Sequence, residues 1–198
     1  MIKRYFPLVI LVLALTGCVS VGVPNDASKW TIELTSSEAS TSGPCRIYDE
    51  QNRLMLEGTL ESGKMDGVWT SWGSQGDRLV VWAYNHGVRN GPVQMWYGPL
   101  AFPEARGRLK LEGTFRDGAF DGMVTRYYPS GVRACARLYD HGILKRSESW
   151  MFDGTPESPD AARTEAVTEL KGDLDYMAIL EDMIARSLAQ AQRRAWSK

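Results

Sequence analysis

The chain has 198 residues, of which 43% are apolar and 24% charged, with 23 basic residues against 24 acidic ones. That balance excludes the strongly basic footprint of a nucleic-acid binder. The length suits one domain with appendages.

Residues 1–17 predict a cleaved signal peptide. Lys3 and Arg4 form a short basic region, and Phe6 to Leu15 form an apolar run. The run is too short to span a bilayer as a helix. It ends in "LTGC", Leu15 to Cys18, which resembles a bacterial lipobox. The resemblance implies cleavage before Cys18, lipidation of its thiol and acylation of its new amino group. Each buried CH2 contributes roughly 0.8 kcal/mol, so several acyl chains anchor a protein firmly. It also implies that Val19, not being aspartate, does not retain the protein in an inner membrane. The expected location is the outer membrane, facing the periplasm. The alternative is an ordinary secretory signal with a chance cysteine. Loss of Lys3 and Arg4 leaves 21 basic residues against 24 acidic ones, a balance of −3.

Residues 18–42 read as the lipidated cysteine and a flexible tether, with "TSSEASTSG" at Thr35 to Gly43 rich in Ser and Thr. "WTIEL", Trp30 to Leu34, alternates weakly and predicts a short strand. Self-similarity then begins. "GPCRIY" at 43, "GVWTSW" at 67, "GPVQMW" at 91 and "GMVTRY" at 122 are spaced 24, 24 and 31. Gly63, Gly87, Gly118 and Gly142 repeat the pattern at 24, 31 and 24. A seven-residue insertion therefore lies between Gly91 and Gly118, and "GPLAFPEARG" (98–107) is its natural place.

The columns of this alignment predict strands. Leu60, Tyr84, Phe115 and Tyr139 stand four residues after Leu56, Val80, Leu111 and Cys135, which places both sets on one sheet face. Cys45, Trp69, Val93 and Val124 stand three residues before Tyr48, Trp72, Trp96 and Tyr127. An offset of three puts those two columns on opposite faces unless a bulge intervenes, and the sequence leaves that open. Each unit reads as two short strands around a G-x-x-x-G turn, with Asp66-Gly67, Asn90-Gly91 and Asp121-Gly122 as the hairpin dipeptides. The last unit, "GILKRSESW", lacks the second glycine and reads as a degenerate cap.

"LEGTLESGKMDGVWTSW" and "LEGTFRDGAFDGMVTRYY" resemble the bacterial variant of MORN repeats, found in proteins described as YwqK-type antitoxins. The resemblance spans residues 43–154. It implies an all-β repeat fold, an elongated antiparallel meander of MORN-like hairpins, used for interaction and not for catalysis. It also implies a toxin partner, which sits poorly with a lipid-anchored protein.

Candidate chemistry is sparse. His86 and His141 share a column with Ser62 and Asp117, which marks a turn position before glycine. Asp66, Asp117, Asp121 and Asp153 lack the two-residue spacing of a cation loop. "GKMDG" leads into a strand, so it is no phosphate loop. Neither a cofactor nor a metal is expected. Cys45 and Cys135 occupy apolar columns seven strands apart, or about 34 Å, beyond disulfide reach, and are expected as buried thiols. Candidate partner contacts are Trp72, Trp96 and Tyr127 in the aromatic column, with Leu100 and Phe102 in the insertion. Residues 155–198 read as a linker and an amphipathic helix whose stripe is Val167, Leu170, Leu174, Met177, Ile184 and Leu188. Ser158-Pro159 reads as its start, and Gly172-Asp173 as a point of break or restart.

The expected function is a non-catalytic, lipid-anchored scaffold. Its partners are the membrane through Cys18 and an unidentified envelope protein or cell-wall component, without nucleic acid. The alternatives are an antitoxin or immunity-like protein and, less favoured, an envelope hydrolase using His86 or His141.

Overall fold

The computed structural model describes residues 31–34, 42–100 and 102–196. The signal peptide, Cys18 and nearly all of the tether lie outside the described residues. Eleven strands make one antiparallel sheet: β1 (Thr31–Leu34), β2 (Gly43–Tyr48), β3 (Leu54–Glu61), β4 (Lys64–Trp72), β5 (Arg78–Asn85), β6 (Val88–Trp96), β7 (Leu109–Arg116), β8 (Ala119–Phe120), β9 (Gly122–Tyr127), β10 (Arg133–Asp140) and β11 (Ile143–Ser149). They follow chain order as a meander, with two-residue β8 pairing beside β9 against β7. The short strand expected at residues 30–34 is β1, paired on β2 at the sheet edge. The helix α1 (Pro159–Trp196) follows the last strand.

The hairpin turns sit four residues before the dipeptides assigned to them from sequence. The turns are Ser62-Gly63, His86-Gly87, Asp117-Gly118 and His141-Gly142, with both residues at positive φ (47° and 88° for the second). Asp66-Gly67, Asn90-Gly91 and Asp121-Gly122 are instead bulges in the returning strand. Pairing steps from Thr59↔Asp66 to Glu57↔Thr70, so β4 advances two residues further than β3. Tyr84↔Arg89 to Trp82↔Val93 repeats the step in the next hairpin. The β10–β11 hairpin, which lacks the second glycine, slips by one residue only, from Leu138↔Arg146 to Tyr139↔Leu144.

The bulge aspartates have a specific task. Asp66 Oδ1 accepts the backbone N–H of His86 at 3.0 Å, and Asp121 Oδ1 accepts that of His141 at 3.2 Å. Gly87, Gly118 and Gly142 N–H groups donate back to the carbonyls of Met65, Arg89 and Phe120. Each hairpin tip is thereby bonded to the next, which satisfies backbone groups that a free turn leaves to water.

The two columns left open by the sequence lie on opposite faces. Cys45, Trp69, Val93 and Val124 are buried together with Leu56, Leu60, Val80, Trp82, Leu111 and Phe115. This face is covered by α1, whose Leu170, Met177, Leu180, Met183 and Ile184 join the same core. Gly172-Asp173 does not interrupt the helix. Val167 lies among the helix side chains that are not described. A 38-residue helix is about 57 Å long at about 1.5 Å per residue, and ten strand rows span about 43 Å at about 4.8 Å each. The helix therefore crosses the whole sheet, touching β11 at its start and β1 near its end.

Buried helix positions 170, 173, 177, 180, 184 and 187 alternate steps of three and four, a straight seam that includes the polar Asp173 and Ser187. Asp173 takes Lys110 of β7 on one oxygen and Arg126 of β9 at 3.0 Å on the other. Two turns on, Glu181 forms a two-pronged pair with Arg89 of β6, at 2.6 and 2.9 Å, and accepts the Tyr84 hydroxyl of β5. Burial, and then the Glu181 carboxylate, hold the Tyr84 hydroxyl far above its ordinary pKa, so it stays a donor.

Trp69 lies flat on Gly58 of the neighbouring strand. A Cβ there would meet the indole at 2.2–2.5 Å, whereas one at the equivalent Gly113 meets Val124 at 3.1 Å. Gly58→Ala is expected to cost about 3 kcal/mol and Gly113→Ala about 1 kcal/mol, read from denaturant midpoints; equal effects would mean the ring does not pin Gly58. Asp173→Ala strands two cations under the helix and should cost about 3 kcal/mol. Lys171→Ala, which removes an exposed pair with Asp175, should leave the midpoint unchanged.

Candidate interaction face

With one face sealed, the other is left to make contacts. Tyr48, Trp72, Trp96 and Tyr127 end strands β2, β4, β6 and β9 on this open face, and Trp150 follows β11 in the same row. Alternate strands put the rings about 10 Å apart. The partner positions between them are Leu54, Arg78, Leu109 and Arg133. The Arg78 guanidinium lies 4.1 Å from the Trp96 ring centre, and Arg133 lies 4.0 Å from that of Trp150. Such stacking holds a planar cation flat and leaves its N–H edges directed outward. Tyr127 donates its hydroxyl to Glu112 at 2.7 Å, and that bond, then burial, raises the phenol's pKa.

Tyr48, Trp72 and Trp96 each follow a core residue by ordinary strand alternation, and the extra residue at that point lies in the partner strand, which advances by two. Ile47↔Leu56 steps to Tyr48↔Leu54, Ser71↔Val80 to Trp72↔Arg78, and Met95↔Leu111 to Trp96↔Leu109. The middle row of the open face is polar but for Val81, running Arg46, Glu57, Thr70, Val81, Gln94, Glu112 and Thr125 in register. Over Gly58 it dips into a shallow hollow of about 220 Å³ walled by Pro44, Arg46, Glu57, Val68 and Thr70.

Of the residues expected from sequence, Trp72, Trp96 and Tyr127 share this row, half-buried at one end of the strands. The insertion does not offer its aromatic in the same way. Phe102 packs edge-on against Tyr97, 5.1 Å between centres, and Tyr97 in turn donates its hydroxyl to the Tyr127 carbonyl at 2.7 Å. Ala105 is fully buried and Arg106 pairs with Asp77, so the loop is fastened down. Leu100, the other candidate in the insertion, projects and is 70% exposed. His86 and His141 occupy hairpin turns, as their column predicts, with exposed imidazoles.

Sequence reading missed Arg78, Arg133 and Trp150, and the signal that finds them is a longer period. Residues 53–87 align with 108–142 at a constant offset of 55, with 15 of 35 positions identical. Arg78 and Arg133 are one such pair, as are Gly58 and Gly113, Asp66 and Asp121, and His86 and His141. The true unit is a double hairpin, in which "LEGT" strands alternate with arginine-bearing ones.

Cys45 and Cys135 are buried, form no disulfide and stand seven strand steps apart. Among the described residues no helix is long and apolar enough to cross a membrane. Compared with known proteins, the chain matches no family model and no curated sequence.

Burial pushes the Cys45 thiol up to about 12, so at pH 8 it is protonated as well as inaccessible. Alkylation of the native chain is expected to spare Cys45 and to label it only after unfolding, as read by peptide mass. Labelling at equal rates in both states would show that this part of the sheet opens.

Proposed function

We propose that the protein is a membrane-anchored, non-catalytic MORN-type lipoprotein that acts as a protein-interaction scaffold in the bacterial envelope. The observation that carries this reading is the asymmetry of the sheet. One face is sealed under α1, and the other presents an evenly spaced row of half-buried rings braced by stacked guanidiniums. Aromatic and arginine side chains dominate binding energy at protein interfaces because they bury large area at small entropic cost. A regular row on a stiff sheet costs little further ordering when a partner docks. The "LTGC" run supports the anchor, with Cys18 as the lipid attachment site.

A photo-crosslinking residue at Gln94, in the middle of the open face, is expected to give a discrete adduct in cells. Trp96→Ala should abolish the adduct without shifting the melting temperature. The same probe at Asp175, on the solvent side of the helix, should give none. Adducts from Asp175 or Leu100 but not Gln94 would overturn the assignment of the face. Labelled fatty acid should be incorporated by the wild-type chain and not by Cys18→Ala; incorporation by the variant would overturn the anchor.

A further inference from the structure

The hairpin tips along one sheet edge carry two repeat-related clusters of metal-ligating groups. In the first, His86 reaches back from the β5–β6 turn to Glu61 and Asp66 of the β3–β4 hairpin. In the second, His141 of the β10–β11 turn meets its neighbour Asp140 and Asp121 of the preceding hairpin. In each cluster one donor atom from every residue lies within 4.8 Å of the others. His86 Nδ1 stands 3.2 Å from Glu61 Oε2. His141 Nδ1 stands 2.8 Å from Asp140 Oδ1 and 4.0 Å from Asp121 Oδ1. Two ligands of one tetrahedral zinc, each roughly 2.0–2.2 Å from the ion, sit about 3.4 Å apart. Small side-chain rotations therefore bring either set into a three-ligand zinc geometry.

The two copies of the double hairpin show which parts of this arrangement persist. The histidine and the bulge aspartate are identical at the 55-residue offset. The third ligand is exchanged. Where the first copy has Glu61, the second has Arg116; where the first has Asn85, the second has Asp140. One carboxylate is lost and another gained beside the same imidazole, so each cluster keeps one histidine and two carboxylates. The turn itself does not demand an imidazole, since Ser62 and Asp117 hold the same left-handed position in the other hairpins.

We propose that the chain binds zinc at these two sites, Glu61–Asp66–His86 and Asp121–Asp140–His141, each ion bridging the tips of adjacent hairpins. Neutral imidazole with carboxylate oxygens suits zinc and its first-row neighbours better than magnesium or calcium, which take oxygen ligands alone. The sites are unequal. In the second, Arg116 lies 3.1 Å from Asp121 Oδ2 and Lys145 lies 3.2 Å from Asp140 Oδ2, so two cations compete with the ion for the same carboxylates. The first site is the tighter one. The proposal stands apart from the reading of the open face, because these side chains line the sheet edge.

The test is titration of the untagged full chain, in detergent and freed of metal by chelator, with zinc against a chromophoric zinc indicator. Two zinc ions per chain are expected, with affinities at least about tenfold apart. His86→Asn should abolish the tighter event and His141→Asn the weaker one; asparagine accepts positive φ, so both turns are kept. Arg116→Ala should tighten the weaker site severalfold, and excess magnesium should displace neither ion. A stoichiometry below one overturns the proposal. So does a double His→Asn variant that binds zinc as the wild type does. A single ion lost only with His86→Asn overturns the second site.

Discussion

A sheet one layer thick has two faces, and water must be kept off one of them. Here a single helix does this for ten rows of strands, and the rest of the architecture follows from its fit. The helix is long enough to cross every row, its buried seam is straight, and its two inward carboxylates meet bases on strands near the middle of the sheet. Asp173 and Glu181 desolvate charge at a cost that the hydrophobic seam alone would not incur. What they add is register. A bare apolar stripe can slide along a bare apolar face, whereas a carboxylate held between Lys110 and Arg126 fixes where each turn of the helix sits.

Small residues and large ones are traded across the strands beneath it. Gly58 makes room for Trp69, and the equivalent place on β5 is filled by Trp82 against the smaller Val93. The next such place returns to glycine, Gly113, facing Val124. The last is Arg137, fully buried at the end of the row. Packing that alternates in this way needs a unit of two hairpins, which is why the identities between the two copies cluster at an offset of 55 and not of 24. The open face inherits the same alternation, so its arginines recur on every second unit.

Much of this was legible in the sequence. Periodic glycines announced a meander, apolar columns named most of the core, and the stripe from Leu170 to Leu188 announced an amphipathic helix, though not what its stripe would cover. Three things were not legible, each for a physical reason. Asp66-Gly67 and Asn90-Gly91 satisfy the chemistry of a hairpin turn, and only the two-residue slip in pairing shows that they bend a strand instead. The face of Trp72 and Trp96 depended on whether a bulge separates them from Trp69 and Val93 in their own strands; none does, and glycine spacing is blind to that. Asp173 beside Gly172 reads as a helix breaker by local propensity, but its charge is answered by residues 47 and 63 positions earlier. As for the candidate contacts, the aromatic column was visible, while the loss of Phe102 to Tyr97 depended on how the insertion folds back.

Arrays of repeats ordinarily come apart piece by piece, since each unit holds only its neighbours. The helix alters that accounting. Because it starts over the last strand and ends over the first, no hairpin can leave without stripping cover from the seam that all the others share. Melting is thereby made a property of the whole chain, and an array built by duplication acquires the all-or-none cooperativity of a globular domain.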